Sequence, residues 1–194
     1  MENKSVLNHV ALLVSSVEKS ADSLRHFNFP IGPAEQWDGE GTLEVYIGDG
    51  ASQMGRLLLM EPIKEGAYSR AMEKRGPGLH HIAIDVLNIE DFIDELAGSG
   101  WLLHPKSIQT LKQTQTAWLS RPGIPTLIEV QQRELLSQNP LLISELFLPG
   151  LTPKSLQLFT KLGLTLVRNT TENELTLIMN GVVIPFKNFR ASLP

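Results

Sequence analysis

Gly78-Leu79-His80-His81-Ile82-Ala83-Ile84-Asp85-Val86 decides how this chain is read, because Leu7-Asn8-His9-Val10-Ala11-Leu12-Leu13-Val14 nearly repeats it upstream. Matching His9 to His81 gives an offset of 81 − 9 = 72 residues. Both stretches are mostly apolar, and a pattern with helical spacing follows each, over 16–27 after the first copy and 88–97 after the second. A repeated strand-then-helix unit is the simplest reading. Side chains alternate along a strand, which predicts that Leu7, His9 and Ala11 share one face and that Leu79, His81 and Ala83 share its counterpart. Two modules then aim one histidine each from equivalent places, while His80 points away from His81, to the surface or to a supporting position.

Working outward, Thr42-Leu43-Glu44-Val45-Tyr46-Ile47-Gly48 reads as a strand, Asp49-Gly50 as a turn and Arg56-Leu57-Leu58-Leu59-Met60 as the returning strand, stopped by Pro62. A short helix over 68–74 links this module to the next and ends at Gly76-Pro77-Gly78. The second module adds strands over 101–103, 114–119 and 126–130, joined by polar loops. The same order starts again with a strand over 143–148, a helix over 153–162 and strands over 164–167, 174–179 and 182–186, with Asn180-Gly181 as a hairpin turn. Glu145 stands there in the place of His9 and His81. The fold class is therefore α+β, built of βαβββ modules: two pair over residues 1–133, and a third C-terminal module covers 134–194. The third would expose an apolar face with Leu146, Leu166, Leu177 and Ile184, and such a face needs a partner. Pairing with its copy in a second chain predicts a homodimer.

The 194 residues suffice for a sizeable core, and their formal net charge of −4, without a Lys/Arg cluster, argues against nucleic acid or an anionic membrane as partner. The absence of cysteine excludes disulfides and thiolate ligands and leaves His, Asp and Glu for any metal. Neither a signal-type apolar run at the N-terminus nor any apolar stretch near the roughly 20 residues that span a bilayer occurs. A cytoplasmic location is the resulting expectation.

Asn8-His9-Val10-Ala11, Leu59-Met60-Glu61-Pro62, the run Met72-Glu73-Lys74-Arg75-Gly76-Pro77-Gly78-Leu79-His80-His81-Ile82-Ala83 and Leu127-Ile128-Glu129-Val130 give residues 6 to about 132 a resemblance to the vicinal oxygen chelate superfamily, the glyoxalase and bleomycin-resistance group. Within it the likeness is greatest to the methylmalonyl-CoA epimerase family. That resemblance implies paired modules around a metal cleft, with His9, His81 and Glu129 as ligands of a divalent ion such as Co, Mn, Zn, Ni or Fe. It places a fourth ligand, usually Gln or Glu, where this chain has Leu58, and the repeat agrees, since 129 − 58 = 71. Glu61, three residues on, falls on the opposite strand face.

The implied activity is epimerisation of an acyl-CoA. Removing the proton next to the thioester needs a stabilised enolate, for which the metal serves as Lewis acid, and two proton-transfer groups on opposite sides of the carbon. The resemblance names Glu44 as one base and Glu129 as its partner, although an alternating strand also allows Glu44 to face solvent. A two-His, one-Glu non-haem iron dioxygenase of the same superfamily is the alternative, which the missing fourth ligand favours, and a non-catalytic small-molecule binder is the other. Trp37, Trp101 and Trp118 read as packing groups, with Trp37 in a loop that could border the cleft. Lys74 and Arg75 read as a solvated helix end, and His26 and His104 have no assigned role.

Overall fold

The computed structural model describes residues 5–50 and 52–189. The first module is β1 (Ser5–Leu13), α1 (Val17–Asp22), β2 (Glu35–Trp37), β3 (Thr42–Ile47) and β4 (Arg56–Pro62). α1 begins where the Ser16 hydroxyl accepts from the Lys19 amide. It is shorter than its periodicity predicts: a 3-10 turn over Arg25–Phe27 follows, closed by left-handed Asn28 at φ 58°.

The linker helix α2 (Ala67–Arg75) leads to the second module, β5 (Gly78–Val86), α3 (Ile89–Glu95), β6 (Leu102–Leu103), α4 (Ser107–Thr114), β7 (Thr116–Ser120) and β8 (Leu127–Gln132). Asn88 caps α3 by accepting from the Glu90 and Asp91 amides. The helix α4 occupies a stretch read as polar loop. Its apolar residues are few and Ile108 is exposed, so little periodic signal exists; the Ser107 hydroxyl instead fastens it to the backbone of Trp118 at 2.8 and 3.0 Å. Among the described residues no helix is long and apolar enough to cross a membrane.

The modules merge into one eight-stranded sheet of order β2-β3-β4-β1-β5-β8-β7-β6. Each module pairs its first strand parallel to its last, β1 with β4 and β5 with β8, and β1 meets β5 antiparallel. Val10, Leu12, Leu57, Leu59, Ile82, Ile84, Ile128 and Val130 turn to one side and form the core under α1 and α3. On the other side Ala11, Leu13, Leu58, Met60 and Tyr68 form a separate small cluster.

Simple alternation fails at two points of the β1–β5 seam. Register slips between Leu7 and His9 opposite Ile84 and Ala83, and again between His81 and Leu79 opposite Ala11 and Leu12. Asn8 and His80 are therefore the extra residues of two β-bulges, one in each strand. A bulge puts two successive side chains on one face. Leu7 and Leu79 consequently join the helix-side core rather than the face of His9 and His81, against the alternation expected from sequence. His80 likewise turns toward His81, not away from it.

The C-terminal unit is β9 (Ile143–Pro149), α5 (Pro153–Lys161), β10 (Val167–Thr170), β11 (Thr176–Met179) and β12 (Val182–Pro185). Thr152 caps α5, with Pro153 in its first turn, and Asn180-Gly181 turns with both φ values positive, 47° and 78°. Its element order repeats that of the modules, but its sheet order, β10-β9-β11-β12, places the first strand between the second and third.

The homodimer expectation rested on an uncovered apolar face, and the structure removes that ground. Leu146, Leu177 and Ile184 are fully buried, and Leu166 nearly so, within the core that the unit shares with the helix side of the large sheet. Trp101 packs edge-on against Phe159 at 5.9 Å and donates to the Leu158 carbonyl, while the Ser20 hydroxyl in α1 donates to the carbonyl of Phe189. Because this core is continuous, Phe159→Ala should cost about 3–5 kcal/mol and lower the stability of the whole chain. Urea unfolding followed by tryptophan fluorescence and far-UV circular dichroism should give coincident transitions; a separate early transition of the C-terminal unit would contradict it.

Candidate metal centre

The β1–β5 seam sets two imidazoles side by side, with His9 Nε2 3.1 Å from His81 Nε2. β8 lies next to β5 with Glu129 opposite Ala83, and its carboxyl Oε2 reaches within 3.5 Å of His81 Nε2 and 3.8 Å of His9 Nε2. The three residues expected as ligands are thus brought together, and each offers one ligand atom within 4.8 Å of the others. Ligand bonds of about 2.0–2.2 Å to one ion imply donor separations of roughly 3–4 Å, and two imidazoles with a carboxylate suit a divalent cation. The residues present fit such an ion.

Burial controls the protonation of the cluster. It lowers His9 to about 3, and His81 well below its usual value, so both rings are neutral donors at pH 7. It also raises Glu129 to about 7, a direction that a bound cation would reverse.

The position corresponding to Glu129 in the first module is confirmed as Leu58. Ala11 pairs with Leu58 across β1 and β4 as Ala83 pairs with Glu129 across β5 and β8. Leu58 is buried against Ala11, Leu13, Met60 and Tyr68. Glu61 cannot replace it, since its carboxylate accepts from the Val17 amide at the start of α1, on the helix side.

Glu44 faces inward and not toward solvent. It pairs with Met60 in register, is buried, and accepts from the Thr42 hydroxyl at 2.7 Å. Burial raises its pKa. A cleft of about 180 Å³ brings Glu44 together with His9, His81, Glu129, Tyr46 and Trp118. A larger depression of about 700 Å³ beside α3, lined by residues such as Ile93 and Leu111, lies away from these groups.

Trp118 is more than packing, because its ring stands 5.1 Å from that of His81 as a wall of the cleft. Exposed Trp37 lies on the rim, and Trp101 belongs to the core. At the mouth Glu40 accepts from the Tyr68 hydroxyl at 2.5 Å and pairs with Lys106 at 3.6 Å, which joins the first module, α2 and the second module. Period-two alternation from Glu44 points to Tyr46, whereas nothing in the sequence joins Glu40 to Lys106. Lys74, Arg75, His26 and His104 do not line this cleft.

No family model matches the sequence, and no curated protein does. Solved structures do. A hypothetical protein from Bacillus halodurans C-125 is 24% identical with a TM-score of 0.56, over 70% of this chain and 99% of its own. Methylmalonyl-CoA epimerase from Mycobacterium tuberculosis is 20% identical with a TM-score of 0.50, over 66% of this chain and 88% of its own. A substituted Streptomyces coelicolor methylmalonyl-CoA epimerase in complex with 2-nitronate-propionyl-CoA is 15% identical with a TM-score of 0.50, over 66% of this chain and 98% of its own. All lie under 25% identity, and what they show is the fold: this chain has the two-module sheet of the vicinal oxygen chelate group.

Proposed function

We propose that the protein is a divalent-metal-dependent epimerase that moves the proton next to the thioester carbonyl of an acyl-CoA. The observation that carries this reading is the convergence of His9, His81 and Glu129 in one cleft with a buried, inward Glu44. A cation held by the three residues would supply Lewis-acid stabilisation of the developing enolate oxygen. Glu44 takes the α-proton as its C–H bond breaks, and the electron pair moves toward the thioester oxygen. Glu44 stands on β3 and Glu129 on β8, on either side of the central strands β4, β1 and β5, so a carbon between them can lose a proton to one and gain one from the other. Trp118 and Leu58 supply apolar wall to the same cleft. That a protein of the same fold holds 2-nitronate-propionyl-CoA supports the substrate class.

Leu58 favours a second reading. With three protein ligands and no fourth, the site resembles two-His, one-carboxylate centres of ferrous dioxygenases, which keep positions open for oxygen and substrate.

Elemental analysis of untagged protein reloaded with Co²⁺, Mn²⁺, Zn²⁺ or Fe²⁺ should find about one ion per chain, absent in His81→Ala, and Leu58→Gln should bind the ion more tightly by adding a donor. Loss of α-proton signal from methylmalonyl-CoA in D₂O, followed by NMR, should fall about 10²–10⁴-fold in Glu44→Gln with metal content unchanged. Because burial raises the Glu44 pKa, the base form appears only as pH rises past the ordinary carboxylate range; the exchange rate should climb there and that limb should vanish in Glu44→Gln. Absence of exchange together with ferrous-dependent oxygen uptake would replace the epimerase by the dioxygenase.

A further inference from the structure

We propose that Asn8, held by Asp85 of the other module, is the positioning residue that fixes the tautomer of His9. The inference extends the metal-centre reading, but its geometry stands without an ion. Asn8 is the extra residue of the β1 bulge, which turns its side chain to the side of the ring that follows it. His9 Nδ1 lies 2.8 Å from Asn8 Oδ1, Asn8 Nδ2 donates to Asp85 Oδ2 at 2.9 Å, and Arg133 Nε donates to Asp85 Oδ1 at 3.2 Å.

The direction of every bond in this chain follows from its far end. Arg133 only donates, and the buried carboxylate of Asp85 only accepts. Asn8 must therefore turn its NH₂ to Asp85 and its carbonyl oxygen to His9. Facing an acceptor, His9 Nδ1 carries the proton and donates. The lone pair is left on Nε2, the atom that points at His81 and Glu129. The tautomer that can ligate is thus selected by a carboxylate two bonds away, in the other module, before any ion arrives.

The second bulge makes the comparison informative. His80 occupies the equivalent repeat position, 80 − 8 = 72, and its Nδ1 lies 2.9 Å from His81 Nδ1, with its ring against Tyr68 at 4.8 Å. That pair is set only at second hand: facing the His9 lone pair at 3.1 Å, His81 Nε2 donates in the metal-free chain, and its Nδ1 accepts from His80. The carboxylate therefore selects the tautomer of His9 directly and reaches His81 only through it.

Nitrogen-15 NMR of the imidazoles in metal-free protein, assigned with His9→Gln, reads the tautomer directly. Wild type should show His9 protonated on Nδ1. In Asp85→Asn the oxygen of the introduced amide takes the Arg133 bond and its NH₂ meets Asn8. The Asn8 amide then turns round, and His9 should move to the Nε2-protonated form, with Co²⁺ affinity lower by about 10–100-fold. Asn8→Asp combined with Asp85→Asn restores a carboxylate acceptor beside His9 and should return both the Nδ1 proton and the affinity. An Nε2-protonated His9 in wild type, or an unchanged tautomer in folded Asp85→Asn, overturns the proposal. The tautomers behaving as stated while wild type binds no Co²⁺ would uphold the positioning role and sink the metal-centre reading alone.

Discussion

The antiparallel seam between β1 and β5 carries both the architecture and the candidate centre. Each strand is the first of its module and has its own last strand on one flank, so the seam is where two four-stranded units become one sheet. The same pairing sets His9 beside His81 and places Glu129 one strand further on. A one-residue slip of either strand would send its own ring into the apolar core beneath α1 and α3. Core packing on one face thus fixes the geometry on the other: Val10, Leu12, Ile82 and Ile84 cannot leave their side without taking the two histidines with them.

Burying two imidazoles and a carboxyl together is costly, and the surroundings are arranged to limit that cost. Burial favours the neutral rings, whose remaining nitrogens are both occupied, His9 by Asn8 and His81 by His80. The bulges make this possible. They insert a polar partner beside each ring without disturbing the apolar side, because Leu7 and Leu79 still reach the core. A regular pleat would have placed leucine next to each ring and left its Nδ1 atom to find water.

Much of the site was legible because the chain repeats itself. One offset, 72 residues, gives both histidines, and nearly the same offset finds Leu58 opposite Glu129 without any coordinates. Glu44 was singled out only by the resemblance, since an alternating strand left its side open until its pairing with β4 and its burial settled it. The bulges were not legible, since Asn8 and His80 look like ordinary alternating positions and only the slip against the partner strand reveals them. The C-terminal unit shows the same limit at a larger scale. Its element order is readable, but strand order depends on which edge β10 chooses, and the burial of Leu146 and Leu177 depends on a partner far away in sequence. Glu40 and Lys106 meet across the mouth for the same reason.

Leu58 links the centre to the inward acid in a way that counting ligands overlooks. It stands on β4, between β3 with Glu44 and β1 with His9, and pairs directly with Tyr46, two residues along the same face from Glu44. A polar side chain there would bring a donor toward the centre and water toward Glu44. Leucine does the opposite: it forms an apolar cluster with Ala11, Leu13 and Met60, and Leu58 and Met60 line the cleft beside the carboxyl, whose burial is the main cause of its raised pKa. The residue that stands where a fourth donor would sit is therefore also one that lines the cleft beside a buried carboxyl whose pKa is raised by that burial. The two modules bring complementary halves to the cleft, one His81 and Glu129 and the other His9, an apolar cluster and the inward Glu44.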